Sequence, residues 1–189
     1  MIERRRIAAH FAWSPQGTFL HMPLLELDDD LRVVSISEHG DAFTESAGVE
    51  FFNGLIVPGF VGCFPANPID DIAAIMRMVR NGMLYVRCRK GEIPKNSLGY
   101  PLFIHDDCLP DCNVISQYVW DDLQATLRIG GQIDVAEWLS QHLDTPWRET
   151  DCCEGGSFLP GRRPGVLQMT GIDWKNMRFT PSATLKIIL

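Results

Sequence analysis

Residues 50–68 read EFFNGLIVPGFVGCFPANP, and the fold turns on how this stretch is divided. From Glu50 to Val57 the run is rich in β-formers, with Asn53-Gly54 as a hairpin-type turn signal inside it. The apolar strand continues through Pro58-Gly59-Phe60-Val61 and then meets Gly62, Cys63, Phe64, Pro65 and Ala66. Proline cannot donate to a strand ladder, so Pro65 and Pro68 end the extended segment and turn the chain toward a helix at Ile69.

Upstream, Arg5 to Ala12, Phe19 to Leu27 and Arg32 to Ile36 are short apolar–polar runs that predict strands. They are separated by Ser14-Pro15-Gln16-Gly17 and Asp28-Asp29-Asp30, both turn signals. The triple aspartate predicts a solvated hairpin turn, because a calcium loop needs further spaced oxygen donors and a closing glutamate.

Downstream, the pattern changes to alternating helix and strand. Pro68-Ile69-Asp70-Asp71 opens a helix whose apolar face is Ile72, Ile75, Met76 and Val79, closed by Asn81-Gly82. Strands are predicted from Met83 to Arg87 and from Tyr100 to Ile104, the second leading into His105-Asp106-Asp107-Cys108. Two more helices follow, Val114 to Leu127, ended by Gly130-Gly131, and Ile133 to Leu143, ended by Thr145-Pro146. The last segment returns to strands at Val166–Met169, Arg178–Thr180 and Thr184–Leu189, and an apolar terminal strand is ordinarily tied into a sheet.

The bulk composition narrows the functional classes. The chain has 189 residues, 46% of them hydrophobic and 22% charged, which suits one soluble domain or slightly more. A net charge of −7 argues against a nucleic-acid or anionic-membrane surface, and Arg4-Arg5-Arg6 is too short to reverse that. No apolar run reaches membrane-span length, and the N-terminus lacks a signal-peptide core, so a cytoplasmic location is expected. The six cysteines are expected to be reduced, since adjacent Cys152 and Cys153 are poor disulfide partners and the core needs no staples.

Three stretches together carry a family resemblance. Glu50–Val61, Gly156–Val166 (GSFLPGRRPGV) and Ile172–Arg178 (IDWKNMR) resemble the amidohydrolase superfamily, in the subgroup of imidazolonepropionases and aminofutalosine-type deaminases. The resemblance implies an α+β protein. Residues 1–61 and 151–189 would form a composite β-sandwich, and residues 62–150 a small α/β insert that is a remnant of a (β/α)8 barrel. A full barrel needs roughly 250 residues, so most of it is missing. In the family, the PGFV strand is followed by two histidines one residue apart, and Phe64 and Ala66 stand in those places. Ile104–Leu109 is similar to the family's last barrel strand, which puts Asp107 at the position of its catalytic aspartate.

Hydrolysis of this type needs a metal that lowers the pKa of bound water to about 7 and a carboxylate that shuttles protons. His10, His21, His39, His105 and His142 show no metal-ligand spacing among themselves. The loop His105-x2-Cys108-x3-Cys112 with Asp107 offers zinc-type donors but no second donor pair, unless Cys152-Cys153 supplies it. Cys108 with His105 or His142 is a further arrangement to weigh, as a thiol nucleophile with a base. Two functions follow. One is a non-catalytic relative with a binding or assembly role and no cofactor, forming a homodimer because a cut-down barrel leaves edges to cover. The other is a hydrolase of cyclic C–N bonds holding zinc through His105, Asp107 and Cys108.

Overall fold

Arg5–Trp13 (β1) is the hub of the molecule, and its neighbours show how the two chain ends meet. A computed structural model of the protein describes residues 4–44, 47–63, 72–88, 102–105, 118–144 and 156–189. Around β1 lie Phe19–His21 (β2), Pro23–Leu27 (β3), Val33–Glu38 (β4) and Val49–Val57 (β5). From the other end of the chain come Leu167–Asp173 (β9) and Arg178–Ile187 (β10). These seven strands form one sheet in the order β10-β9-β5-β1-β3-β4, with β2 also paired to β1. The β1/β5 pair is parallel, and β9 closes antiparallel on β5 through Leu55↔Met169. The terminal residues are tied to this sheet, with Ile188 donating to the Val166 carbonyl.

One expectation is corrected at β5. Asn53-Gly54 is a bulge inside a continuous strand and not a hairpin turn: Ala9 pairs with Phe52 but Phe11 with Leu55, so β5 carries one extra residue. Gly54 takes φ +93 there, and a Cβ on it would lie 2.3 Å from the Met169 carbonyl oxygen. The bulge turns the Gly54 N–H toward the His10 Nδ1, which accepts it at 3.2 Å. On β1 the same point switches the face: Ile7 and Ala9 before it and Ala12 after it are buried in one apolar cluster, and Trp13 in the other. The strands expected at Arg178–Thr180 and Thr184–Leu189 are likewise one irregular strand, with a register shift between Phe179 and Thr184.

The middle of the chain builds a second, parallel sheet from Phe60–Cys63 (β6), Met83–Cys88 (β7) and Leu102–His105 (β8), in the order β6-β7-β8. Gly59 explains part of the PGFV run: a side chain there would meet the Leu84 Cβ at 2.6 Å, so β5 leads into β6 flush against β7. Met83, Leu84, Tyr85 and Val86 are all buried, as in a strand covered on both faces.

Helix Ile72–Arg80 (α1) joins β6 to β7. It buries Ile75 and Met78, while Met76 is 37% exposed, so its inward face lies one step away from the expected one. The proposed helix opening at Pro68–Asp71 lies outside the described residues, as do residues 114–117. Val119–Arg128 (α2) buries Val119, Trp120, Leu123 and Leu127, in line with its periodicity. Val135–Leu139 (α3) starts later than expected because Ile133 and Val135 hydrogen-bond to the β10 region, through Phe179 and Met177. Asp134 caps α3 by accepting from the Glu137 N–H at 2.9 Å. A π-helical turn, Ser140–Asp144, continues it.

Trp138 joins the two sheets. Its ring packs edge-on against Phe60 of β6, Trp120 of α2 and Phe179 of β10, at centroid distances of 5.6, 6.1 and 5.3 Å. The protein is thus α+β, mostly sheet, with one apolar core running from the seven-stranded sheet into the helices and the parallel strands.

Candidate functional site

The three parallel strands share a carboxyl edge, at Cys63, Cys88 and His105. In open α/β sheets this edge is where ligands are usually held, because loops rather than ladder bonds occupy it. The register orders its residues. Cys63 pairs with Arg87, whose partner on β8 is Ile104, and one row later Cys88 pairs with His105. The sheet therefore sets Cys88 beside His105, a neighbour the linear sequence gives no hint of.

The other predicted donors cannot be placed on this edge. Asp107, Cys108 and Cys112 lie outside the described residues, as do Phe64, Ala66, Cys152 and Cys153. Among the described residues no group of three His, Cys, Asp or Glu side chains could hold a metal ion. The strand carrying His105 adjoins β7 and continues the succession from β6.

The remaining histidines have structural partners. His10 serves the bulge and meets Phe51 edge-on at 5.1 Å. His39 Nε2 lies 3.1 Å from the Ser37 hydroxyl, and the His21 ring lies against Phe11 at 5.4 Å. His142 is different: it sits in the π-helical turn with its ring 4.8 Å from Trp138. Burial disfavours its charged form and lowers its pKa, and the negative charge of Asp122 offsets this only in part.

Two polar features escaped sequence reasoning. Asn81, read as a helix stop, is buried between helices: its Oδ1 accepts from the Asp121 N–H at 2.7 Å and its Nδ2 donates to the Arg77 carbonyl at 2.9 Å. Beside it, Arg77 binds the Asp121 carboxylate at 2.8 Å and lies 4.1 Å over the Tyr118 ring. Elsewhere, Arg4, Arg5 and Arg6 line an open cavity of about 440 Å³ with Asp28, Asp29 and Glu50. This is no anion site, since Arg5 is held by Glu50 at 2.7 Å and Arg6 by Glu26 at 3.3 Å. Arg5 in turn holds the Glu50 carboxyl below its usual pKa. The Asp28 side chain accepts from the N–H groups of Asp30 and Arg32, which makes the triple aspartate the expected turn.

No protein-family model and no curated protein sequence matches the chain. Solved structures that resemble it include A. niger ochratoxinase, at 14% identity over 48% of this chain and 26% of that one, with a TM-score of 0.36. Helicobacter pylori aminofutalosine deaminase matches at 15% identity over 46% and 28%, with a TM-score of 0.33. The N-acetyl-D-glucosamine-6-phosphate deacetylase of Mycobacterium smegmatis matches at 18% identity over 45% and 26%, also at 0.33. These are amidohydrolase-superfamily enzymes, and the chain spans about a quarter of their length. Among the described residues no helix is long and apolar enough to cross a membrane.

Proposed function

We propose that this chain is an amidohydrolase-related protein that binds or assembles without catalysing hydrolysis. Residues 1–61 and 151–189 make its composite β-domain, and residues 62–150 are the reduced remainder of the barrel. The observation that carries this is the run after Val61: a PGFV-type strand is followed by Phe64 and Ala66, neither of which can ligate a metal. Without that pair, a carboxylate such as Asp107 has no metal-bound water to deprotonate. The sharing of one sheet by strands from both chain ends supports the composite domain.

The test is an assay of the purified full chain, with zinc or iron supplied, against cyclic amides, cyclic amidines and aminopurines. The expected result is turnover no faster than the uncatalysed reaction. Metal-dependent turnover abolished by Asp107→Asn would overturn the proposal. It would establish instead a hydrolase of cyclic C–N bonds with zinc on His105, Asp107 and Cys108. What favours that second reading is that β8 delivers His105 at the carboxyl end of a parallel strand.

We also propose a homodimer. The apolar face of β7 is covered within one chain, so pairing would use the outer edges of β6 and β8. Light scattering should then give twice the 21.3 kDa of one chain, and a single-chain mass would refute it.

A further inference from the structure

Ile129 is the most exposed large apolar side chain among the described residues, at 86%. Its position follows from the way α2 stops. Gly130 takes φ +82, the left-handed turn that ends a helix. Gly131 then packs so closely that a Cβ on it would stand 2.5 Å from the Thr126 Cγ2. This tight turn leaves Arg128 and Ile129 exposed, whereas Leu127, one residue earlier, is buried.

Three residues further on, the chain lines an open hollow of about 260 Å³ with Gln132, Ile133, Asp134, Glu137, Trp138 and Gln141. That volume falls short of the roughly 300–1,000 Å³ of small-molecule pockets and suits a protruding side chain better. Ile133 and Trp138 give the hollow apolar surface, and Asp134 and Glu137 give it negative charge. The partners of the two carboxylates are neutral: Asp134 accepts from the Glu137 N–H at 2.9 Å, and Glu137 from the Gln141 side-chain amide at 3.3 Å. Arg178, the bridge partner of Asp134, donates to the Gln132 amide oxygen instead. Among the described residues no cation pairs with either acid.

An apolar knob flanked by a cation thus stands beside an apolar hollow flanked by two anions. At 86% exposure, Ile129 does not fill the hollow of its own chain. Three residues span at most about 10 Å, so knob and hollow belong to one patch. A patch that carries both halves of a contact is self-complementary under a two-fold axis, where each copy gives what the other takes. We propose that this patch joins two copies of the chain, Ile129 of each seated in the other's hollow against Ile133 and Trp138, and Arg128 of each meeting the other's Asp134 and Glu137. Opposite charges around an apolar contact fix its register and disfavour other partners. The surface uses elements other than the β6 and β8 edges, so it is a separate means of association. It is also independent of the non-catalytic reading, which turnover alone would refute.

The full chain and its variants are weighed by light scattering over a range of concentrations. Ile129→Asp should halve the mass of the parent assembly, because each pair loses two seated side chains, roughly a hundredfold or more in affinity. Arg128→Glu and Glu137→Arg should each weaken pairing by roughly tenfold or more, since each sets like charges together twice per pair. All three positions are exposed, so the fold is expected to persist, as circular dichroism will show. The decisive sample is an equimolar mixture of Arg128→Glu chains with Glu137→Arg chains. It should recover the parent mass, because each new charge then faces its opposite across the axis, and a misfolded variant could not be rescued in this way. Failure of the mixture to recover, or an unaltered mass in Ile129→Asp, would overturn this surface and leave the edge pairing standing. A parent mass of 21.3 kDa throughout would overturn both.

Discussion

Replacing Gly54 by alanine separates two costs that the β5 bulge combines. The residue sits at φ +93, where an L side chain costs about 1–3 kcal/mol in backbone strain. Its new Cβ would also stand 2.3 Å from the Met169 carbonyl oxygen, closer than any relaxed contact. Relief requires β5 and β9 to part where Leu55, Ile56 and Val57 pair with Met169, Gln168 and Leu167, weakening ladder bonds worth about 1 kcal/mol each. Stiffening of the unfolded chain returns only about 0.4–1 kcal/mol. The expected loss is therefore about 2–4 kcal/mol. Gly48 is the internal control: at φ +81 it has comparable backbone strain, but nothing lies within 4 Å of a Cβ built there. Gly48→Ala should cost about 0–2.5 kcal/mol, the backbone term less the entropic return, and in any case less than Gly54→Ala because no clash is added. Urea unfolding followed by tryptophan fluorescence measures both. Equal losses in the two variants, or a loss below about 1 kcal/mol for Gly54→Ala, would refute the bulge geometry.

Other variants probe the junction between the sheets. Trp138→Ala removes the ring that meets Phe60, Trp120 and Phe179, and should cost about 3–5 kcal/mol by the same urea assay. Asn81→Ala leaves the part-buried Asp121 N–H without its partner, while the Arg77 carbonyl keeps the backbone N–H of residue 81, and should cost about 1–3 kcal/mol. His142 has a folded pKa below its unfolded value of 6.5, so between the two the unfolded chain carries the extra proton. Stability should therefore fall as pH drops below about 6.5 and level off below the folded pKa. His142→Gln, measured by thermal unfolding across that range, should remove this part of the pH dependence.

What the sequence made legible follows from locality. The periodicity of Val119, Leu123 and Leu127, the Asp28 turn and the strand run from Arg5 to Ala12 are set by residues within a few positions of one another, and the structure bears them out. The Asn53-Gly54 pair was misleading for a physical reason. A left-handed glycine serves a hairpin and a bulge equally well, and only the pairing of β5 with β1 and β9 decides between them. The face of α1 was displaced because its packing partners are distant in sequence: Met78 joins a cluster with Phe60 and Trp138, and Met76 does not. Asn81-Gly82 does end α1 after Arg80, but the further role of Asn81, a hydrogen bond to Asp121, spans two elements and was not legible. At the candidate site, Cys88 and His105 were individually visible, but their adjacency belongs to the register of two parallel strands.

The stretch from Leu55 to Val61 shows why this part of the sequence carries so strong a fold signal. Leu55, Ile56 and Val57 are held by the β9 ladder, and Phe60 and Val61 by the core around Trp138 and β7. Exchanging any of them for a polar residue would leave a buried group unsatisfied, at about 1–3 kcal/mol each. In β6 the ladder itself rests on Phe60, which pairs with Met83, and Val61, which pairs with Tyr85. At the carboxyl edge of the parallel sheet, where β7 and β8 end, Cys88 and His105 are set side by side by register alone.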